Sequence, residues 1–183
     1  MKKIFLIFFV LLFSSWSFAQ NESTSQLDEL FEKLKKTNNP MTAKKIEVKI
    51  WKLWTTHPSE DSLTNLLAKG SEYMAQNQLT SAHNVFSKAI ELDPNWAEAW
   101  NKRATVLYLM GNFELSQNDI DMVLKLEKRH FGALSGQGLV QTAMKNYQKA
   151  IDSYIEAHKV YPAMETPLMM IERLKDMIKK ESI

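Results

Sequence analysis

The sequence predicts an all-α fold, a solenoid of consecutive helical hairpins that follows an N-terminal signal peptide. Three observations predict it: helical spacing of apolar residues, a 34-residue period, and a charged and then apolar N-terminus. In residues 98–120 the apolar Trp100, Ala104 and Leu107 follow each other at three- and four-residue steps, Gly111 interrupts the pattern, and Phe113–Ile120 resumes it. A hairpin this short cannot bury its own apolar stripe, so we expect its neighbours in the chain to cover it.

The first nineteen residues predict a signal peptide. Lys2 and Lys3 precede an unbroken apolar run over residues 4–13, and Ser17 and Ala19 are the small residues that a cleavage site needs. We predict cleavage after Ala19 and a linker over 20–26. The apolar segment is shorter than the roughly 20 residues of a spanning helix, and an uncleaved membrane anchor is the alternative. No integral membrane segment is expected after cleavage.

The net charge limits the expected partners, and the cysteine content limits the expected chemistry. The chain has 23 Lys and Arg against 21 Asp and Glu, and loss of Lys2 and Lys3 with the signal peptide would leave no net charge. This balance gives no electrostatic reason to expect nucleic acid as a partner. The sequence contains no cysteine, which excludes disulfides and thiol chemistry, so stability has to come from packing.

The repeat is visible in the spacing of small residues and prolines. Pro94 and Pro162 lie 68 residues apart, twice 34. Small residues at equivalent places are expected where the two helices of a unit cross closely, and larger ones where successive units meet. The small residues are Gly70, Ala104 and Gly138 on first helices and Ala82, Ser116 and Ala150 on second helices, and the larger ones are Phe86, Ile120 and Tyr154.

This pattern resembles the tetratricopeptide repeat (TPR), a 34-residue helix-turn-helix unit. The resemblance implies a TPR-type right-handed α-solenoid closed by a C-terminal cap helix. We predict three repeats over 63–96, 97–130 and 131–164, preceded by a divergent N-terminal repeat over 27–62 and followed by the cap helix over 165–183. The stretches 98–114 and 128–140 also look like exported TPR proteins of Gram-negative bacteria, which implies an envelope location. Together with the signal peptide, this predicts a periplasmic protein.

No residue pattern in the sequence indicates catalysis, a metal or a cofactor, so we predict a protein that is not an enzyme. His57, His83, His130 and His158 lack the spacing of zinc ligands and are predicted to be isolated structural or surface residues. Asp119 and Asp121 point to different sides of one helix, and we predict a solvated charged face for them. The tryptophans at 51, 54, 96 and 100 suit core packing, or alternatively an aromatic patch for a partner.

In TPR proteins the first helix of each repeat lines a concave groove, which implies a set of partner-binding residues here. We expect this groove to hold a peptide or helix of another envelope protein, the chain serving as a scaffold or adaptor. The alternatives are a self-assembling structural protein, hence a homo-oligomer, and an accessory subunit of a separately encoded cell-wall enzyme. The residues that the resemblance places in the groove are Leu67, Ser71, Met74, Asn101, Thr105, Tyr108, Ser135, Leu139 and Thr142.

The resemblance also raises the question of a carboxylate clamp, the Lys/Asn/Arg set with which some TPR proteins hold the C-terminal carboxylate of a partner. Leu67 and Ser71 stand where the clamp would begin with Lys and Asn, and Asn101 and Lys102 are the residues that hint at it. We therefore expect no carboxylate clamp.

Overall fold

A computed structural model describes residues 24–181, and within that range every regular element is an α-helix. The predicted signal peptide lies outside the described residues. Residues 24–26, which were expected in a linker, belong to the first helix. The nine helices of the described range are α1 (24–36), α2 (Pro40–Thr55), α3 (Asp61–Ala75), α4 (Leu79–Leu92), α5 (Ala97–Leu109), α6 (Phe113–Leu126), α7 (Phe131–Ala143), α8 (Tyr147–Val160) and α9 (Glu165–Glu181).

The helices from α3 to α8 form three hairpins that share one turn geometry. The turn after each first helix contains a residue with positive φ, and these residues, Asn77, Gly111 and Lys145, recur every 34 positions. In each turn the amide of that residue donates to a carbonyl three residues back, and the next amide donates to a carbonyl five residues back. This pair of bonds is the Schellman motif, which satisfies the last carbonyls of the first helix and redirects the chain into the second.

Small side chains set the distance between the two helices of a hairpin, as predicted. Ala82 and Ala150 are completely buried, and a Cβ added at Gly138 would lie 2.5 Å from the Tyr154 ring. Ser116 is also fully buried, and its hydroxyl donates to the Ala104 carbonyl at 2.8 Å. The expected large core residues Phe86, Ile120 and Tyr154 are each at most 2% exposed.

Successive hairpins stack in order, because α4 packs on α5 and α6 on α7. The last hairpin is covered by α9, which packs on α8. Leu174 of α9 is completely buried and joins Ile171, Ala150 and Tyr154 in one apolar cluster. The helix therefore closes the C-terminal end of the array. No helix of the described range combines the length and the apolar character that crossing a membrane requires.

The N-terminal hairpin, α1 and α2, is placed differently from the divergent repeat that we expected over 27–62. A stacked repeat would lay α2 against the neighbouring hairpin of α3 and α4. Instead α2 contacts α5, and Phe31, Ile50 and Trp54 of the hairpin form one cluster with Phe131 at the start of α7 and Tyr161 after α8. The hairpin thus lies across the array and reaches its last repeat.

Candidate functional site

The nine residues of the predicted groove lie on α3, α5 and α7, the three first helices, and we call their shared surface the concave face. Leu67 is a correction to the prediction, because it is 2% exposed and packs with Leu63 and Phe86 in the core of the first hairpin. Met74 is half-buried against the same core. The first repeat therefore offers little apolar surface to a partner.

The middle and last repeats bring four predicted residues to one small pocket of about 60 Å³ between α5 and α7. These residues are Asn101, Thr105, Tyr108 and Leu139. Leu139 is 41% exposed, and Tyr108 is half-buried with its ring 5.6 Å from the ring of Phe113. The pocket therefore has an apolar and aromatic rim that comes from two consecutive repeats.

The polar residues of the predicted set mostly bond within the chain. The hydroxyls of Ser71, Thr105 and Thr142 each donate to the carbonyl four residues earlier, at 3.0, 3.0 and 2.7 Å. Their hydroxyl oxygens can still accept a hydrogen bond from a partner. The Ser135 hydroxyl lies 3.9 Å from the sulfur of Met164, the residue before α9.

Asn101 and Lys102, the residues that hinted at a carboxylate clamp, are turned toward a buried acidic side chain. The Asn101 amide donates to Glu98 Oε2 at 3.0 Å, and Lys102 Nζ lies 3.4 Å from Glu98 Oε1. Asn101 is 8% exposed, so its amide is not presented to a partner. A carboxylate placed here would also meet the negative charge of Glu98.

Part of the concave face is covered by α2, an arrangement that the sequence reasoning missed. Trp54 stacks on His130 with ring centroids 3.9 Å apart, and Trp51 meets Phe131 edge to face at 5.5 Å. Lys102 on α5 places its Nζ 5.9 Å from the centre of the Trp51 ring. The hairpin therefore covers the N-terminal ends of α5 and α7, and the pocket at Tyr108 extends from Gly132, beside the hairpin, to Leu139.

The tryptophans of α2 follow the core-packing interpretation. Trp54 is 6% exposed, Trp51 is half-buried, and Trp96 is 7% exposed and donates its Nε1 hydrogen to the Trp54 carbonyl at 2.8 Å. An apolar stripe formed by Ile46, Ile50 and Trp54 was readable in the sequence. Helical spacing shows that such a stripe is buried, but it does not say against which residues.

Two histidines at the turns between hairpins are paired with carboxylates, which corrects the expectation that they are isolated. His57 Nε2 lies 2.9 Å from Asp93, and His130 Nε2 lies 3.0 Å from Glu98. His130 and Glu98 are almost completely buried, under the Trp54 ring. Within residues 24–181 no group of three or more His, Asp or Glu is placed to hold a metal ion. The pairs act as links between turns and helices.

Asp119 also departs from the prediction of a solvated charged face. It is 4% exposed and accepts two hydrogen bonds of 2.8 Å from the Arg103 guanidinium. Asp121 is exposed and accepts from Gln117 at 2.8 Å. The two carboxylates do point to different sides of α6, but one of those sides faces α5.

A cavity of about 540 Å³ lies away from the predicted groove. It opens between the start of α1, the end of α2 and the turns at 93–97 and 125–129. Lys125 and Lys128 on its wall are balanced by Asp93 and Glu127. This mixture of charges favours no particular class of ligand.

Comparison with known proteins agrees with the repeat architecture. A family model described as TPR repeat matches residues 70–111. A TPR repeat-containing protein of Rhizobium etli is 33% identical over 159 residues, which cover 86% of this chain and 77% of the relative. Hsp70-Hsp90 organizing protein 1 of Glycine max is 29% identical, and there the match spans 62% of this chain and 20% of the relative.

Solved structures share the fold at lower identity. The first TPR of Spaghetti (RPAP3), bound to an HSP90 peptide, is 18% identical with a TM-score of 0.62, and the match covers 64% of this chain and 93% of that one. The Yersinia enterocolitica type III secretion chaperone SycD, in complex with a peptide of the translocator YopD, is 15% identical with a TM-score of 0.62, and the match covers 68% and 99%. Helix content, the 34-residue turn geometry and the Rhizobium relative lead to one conclusion: the chain belongs to the tetratricopeptide repeat family.

Proposed function

We propose that the protein is a non-enzymatic adaptor of the bacterial envelope that binds a peptide or helix of another envelope protein on the uncovered half of its concave face. The observation that carries the proposal is the pocket where Tyr108 of the middle repeat and Leu139 of the last repeat meet. TPR domains mediate protein–protein interaction, and structures of similar fold were solved with HSP90 and YopD peptides. These similarities support the class of function and leave the partner open.

The chemistry of the pocket indicates the kind of segment that would fit. Its lining combines the Tyr108 ring and the exposed Leu139 side chain with the hydroxyl oxygen of Thr105. Aromatic side chains of this type dominate binding energy at interfaces, and hydroxyl oxygens can accept from a peptide N–H. We therefore expect an apolar side chain of the partner to enter beside Tyr108. A C-terminal carboxylate is disfavoured, since the nearby Asn101 and Lys102 already face Glu98.

The envelope location is part of the proposal and rests on the first nineteen residues. Lys2, Lys3, the apolar run and the small residues Ser17 and Ala19 support export. Cell fractionation followed by N-terminal sequencing tests it. A periplasmic form that starts at Gln20 is expected, whereas an intact N-terminus in the inner membrane would contradict cleavage.

Site-specific crosslinking in cells tests binding at the pocket. A photoreactive phenylalanine analogue at position 108 should crosslink a discrete partner. The same analogue at position 115 should not, because Leu115 is 54% exposed on the second helix α6, away from the pocket. Tyr108→Ala should then weaken capture of that partner by about 1–3 kcal/mol, the range of an aromatic hot spot.

The control for this test is Leu115→Ala, which should leave capture unchanged. Thermal melts of both variants separate lost binding from lost folding, because Tyr108 also contacts Phe113. If Tyr108→Ala lowers the melting temperature while the folded fraction captures the partner normally, the pocket is not the binding surface.

A further inference from the structure

We propose that Gly136 selects the partner residue that enters the pocket at Tyr108. Its missing side chain opens a slot against α7, and this slot takes the branched end of a leucine or isoleucine side chain of a peptide and rejects an aromatic ring. The selectivity rests on the proposed function, because it concerns the same pocket. It adds the residue of this chain that sets the specificity and the class of side chain that binds.

Gly136 is the one helical glycine within residues 24–181 that the packing of the fold does not require. The other three lie where an added Cβ would come within 2.7 Å of an aromatic ring, namely Gly70, Gly132 and Gly138. A Cβ added at Gly136 would meet a single atom, Cδ1 of Ile120, at the ordinary contact distance of 3.8 Å. Alanine would therefore fit at this position.

Glycine at position 136 also has an energetic cost that the repeat does not explain. Glycine inside a helix is less stable than alanine, because it loses more conformational freedom on folding. The equivalent positions of the first and middle repeats hold Ala68 and Lys102, so the TPR architecture does not need glycine here. Gly136 lies in the middle of α7 and lines the pocket. It therefore provides space in which another group can approach the α7 backbone.

The size of the pocket suits an aliphatic side chain. Its volume of about 60 Å³ is far below the roughly 150 Å³ of an apolar cavity that holds benzene. The branched end of an aliphatic side chain can enter such a slot and lose its contact with water, whereas a phenyl ring has to stay at the rim. Most of the lining is apolar and comes from Ala104, Ile120, Ala133, Leu139 and Val140.

The polar atoms of the pocket that remain free are hydrogen-bond acceptors. Thr105 donates its hydroxyl hydrogen within the chain at 3.0 Å, which leaves the hydroxyl oxygen as an acceptor. Asn101 is 8% exposed and holds its amide nitrogen on Glu98, and its side-chain oxygen accepts no hydrogen bond from the described residues. The occupant therefore has to carry N–H donors next to its aliphatic group. A peptide backbone has these donors, and a hydrocarbon chain does not.

Methyl NMR of the purified protein with three capped amino acids tests the slot. N-acetyl-leucine methylamide should shift the methyl signals of Leu139 and Val140, with a Kd on the order of millimolar for a ligand of this size. N-acetyl-phenylalanine methylamide should bind at least about fivefold more weakly, because its ring does not enter the slot. The leucine compound methylated on its nitrogens lacks the N–H donors and should bind at least about threefold more weakly.

Two variants change the size of the slot in opposite directions. Gly136→Ala places a methyl group in the slot and should weaken binding of the leucine compound at least about fivefold. The same change should raise the melting temperature, because alanine favours the helix. Weaker binding by a more stable protein cannot result from misfolding. Ile120→Val removes the Cδ1 atom that faces Gly136, so the affinities for the leucine and phenylalanine compounds should become more similar.

Asn65→Ala is the matched control for the effect of Gly136→Ala on stability. Asn65 is exposed on α3 and does not line the pocket. Alanine at this position should also raise the melting temperature, since asparagine is a poor helix former. The Kd of the leucine compound should stay at the wild-type value.

Several results would overturn this assignment of the pocket. One is that Gly136→Ala binds the leucine compound as tightly as the wild type does. Another is that the phenylalanine compound binds as tightly as the leucine compound. Equally tight binding of the N-methylated compound would show that any aliphatic chain enters, so the occupant would not be recognised as a peptide. The assignment also fails if the Leu139 and Val140 signals do not move at millimolar concentrations.

The in-cell crosslink at position 108 distinguishes failure of this selectivity from failure of the proposed function. If the wild type and Gly136→Ala capture the same partner equally well, the adaptor function stands and the role of Gly136 is wrong. If the leucine compound binds as expected and no partner is captured in cells, the adaptor function is wrong, and the chemistry of the slot stands.

Discussion

One charged side chain, that of Arg103, links neighbouring hairpins in this protein. Arg103 on α5 donates both hydrogen bonds of a bidentate pair to Asp119 on α6, and a third at 3.1 Å to Ser87 on α4. One guanidinium therefore ties together three helices of two repeats. Its planar set of donors matches the carboxylate in a way that a lysine could not. The pair is well enclosed, with the Asp119 side chain 6% exposed.

Removing the Asp119 carboxylate should lower the stability of the fold, whereas removing the nearby Asp121 carboxylate should not. Asp119→Ala leaves the Arg103 charge without its partner in a mostly buried place, so we expect the free energy of unfolding to fall by about 3 kcal/mol. Asp121→Ala is the matched control on the same helix. It removes an exposed carboxylate and should change stability by no more than about 0.5 kcal/mol. Urea unfolding of the two variants measures both, and equal losses would contradict the structural role of the pair.

The candidate site shows how far single residues could be predicted from the sequence. The repeat register placed Asn101, Thr105, Tyr108 and Leu139 on one face, and the structure brings these four to one pocket. The register could not show that Leu67 packs into its own hairpin. Nor could it show that Asn101 bonds to Glu98, because both outcomes depend on side chains from other turns and helices.

At the scale of helices, patterns of neighbouring residues in the sequence were enough to predict the three hairpins. Their turns are Schellman motifs, and the small residues at their crossings recur with the same period. The position of α2 was not predictable in this way, because its contacts lie far along the chain. The stripe of Ile46, Ile50 and Trp54 required a buried face, but both an adjacent repeat and the start of α7 could provide it.

The crossing of α3 and α4 provides a test of the register. Ala82 is completely buried there, so Ala82→Leu inserts bulk into a closely packed contact and should cost about 1–3 kcal/mol. Lys88→Ala on the same helix removes an exposed ion pair with Glu91 and should cost about 0.5 kcal/mol or less. Thermal melts compare the variants directly. Indistinguishable melting temperatures would be incompatible with the helix crossing described here.

At the scale of the whole molecule, the N-terminal hairpin connects the first part of the chain to the last repeat. A simple solenoid has contacts between adjacent repeats only. Here Asp28 of α1 pairs with Arg129 at 2.7 Å, and Glu47 of α2 accepts from Tyr161 beyond α8. The hairpin therefore acts as a brace across the middle and last repeats. This closure also buries the tryptophan face that a self-assembling protein would have used as an interface.

The raised pKa values of two buried tyrosines predict how the stability of the fold changes at alkaline pH. Burial, reinforced by the carboxylate of Glu47, raises the pKa of the Tyr161 hydroxyl from 10.0 to about 12, and burial raises the pKa of Tyr154 from 10.0 to about 12. Below pH 10 both tyrosines are protonated in the folded and the unfolded chain, and their contribution to stability is complete. As the pH rises from about 10 to about 12, the unfolded chain loses these protons first, so the folded state loses stability.

Each group should contribute up to about 1.4 kcal/mol per pH unit in that window. Tyr161→Phe removes one of the two groups and the hydrogen bond to Glu47 with it. The variant should be less stable than the wild type at neutral pH, and its stability should fall less steeply between about pH 10 and pH 12. Urea unfolding at a series of pH values measures both slopes, and tyrosinate absorbance reports ionisation in the same samples. If the two proteins lose stability with the same slope, Tyr161 is not held protonated by the folded structure, and its contact with α2 does not depend on its proton.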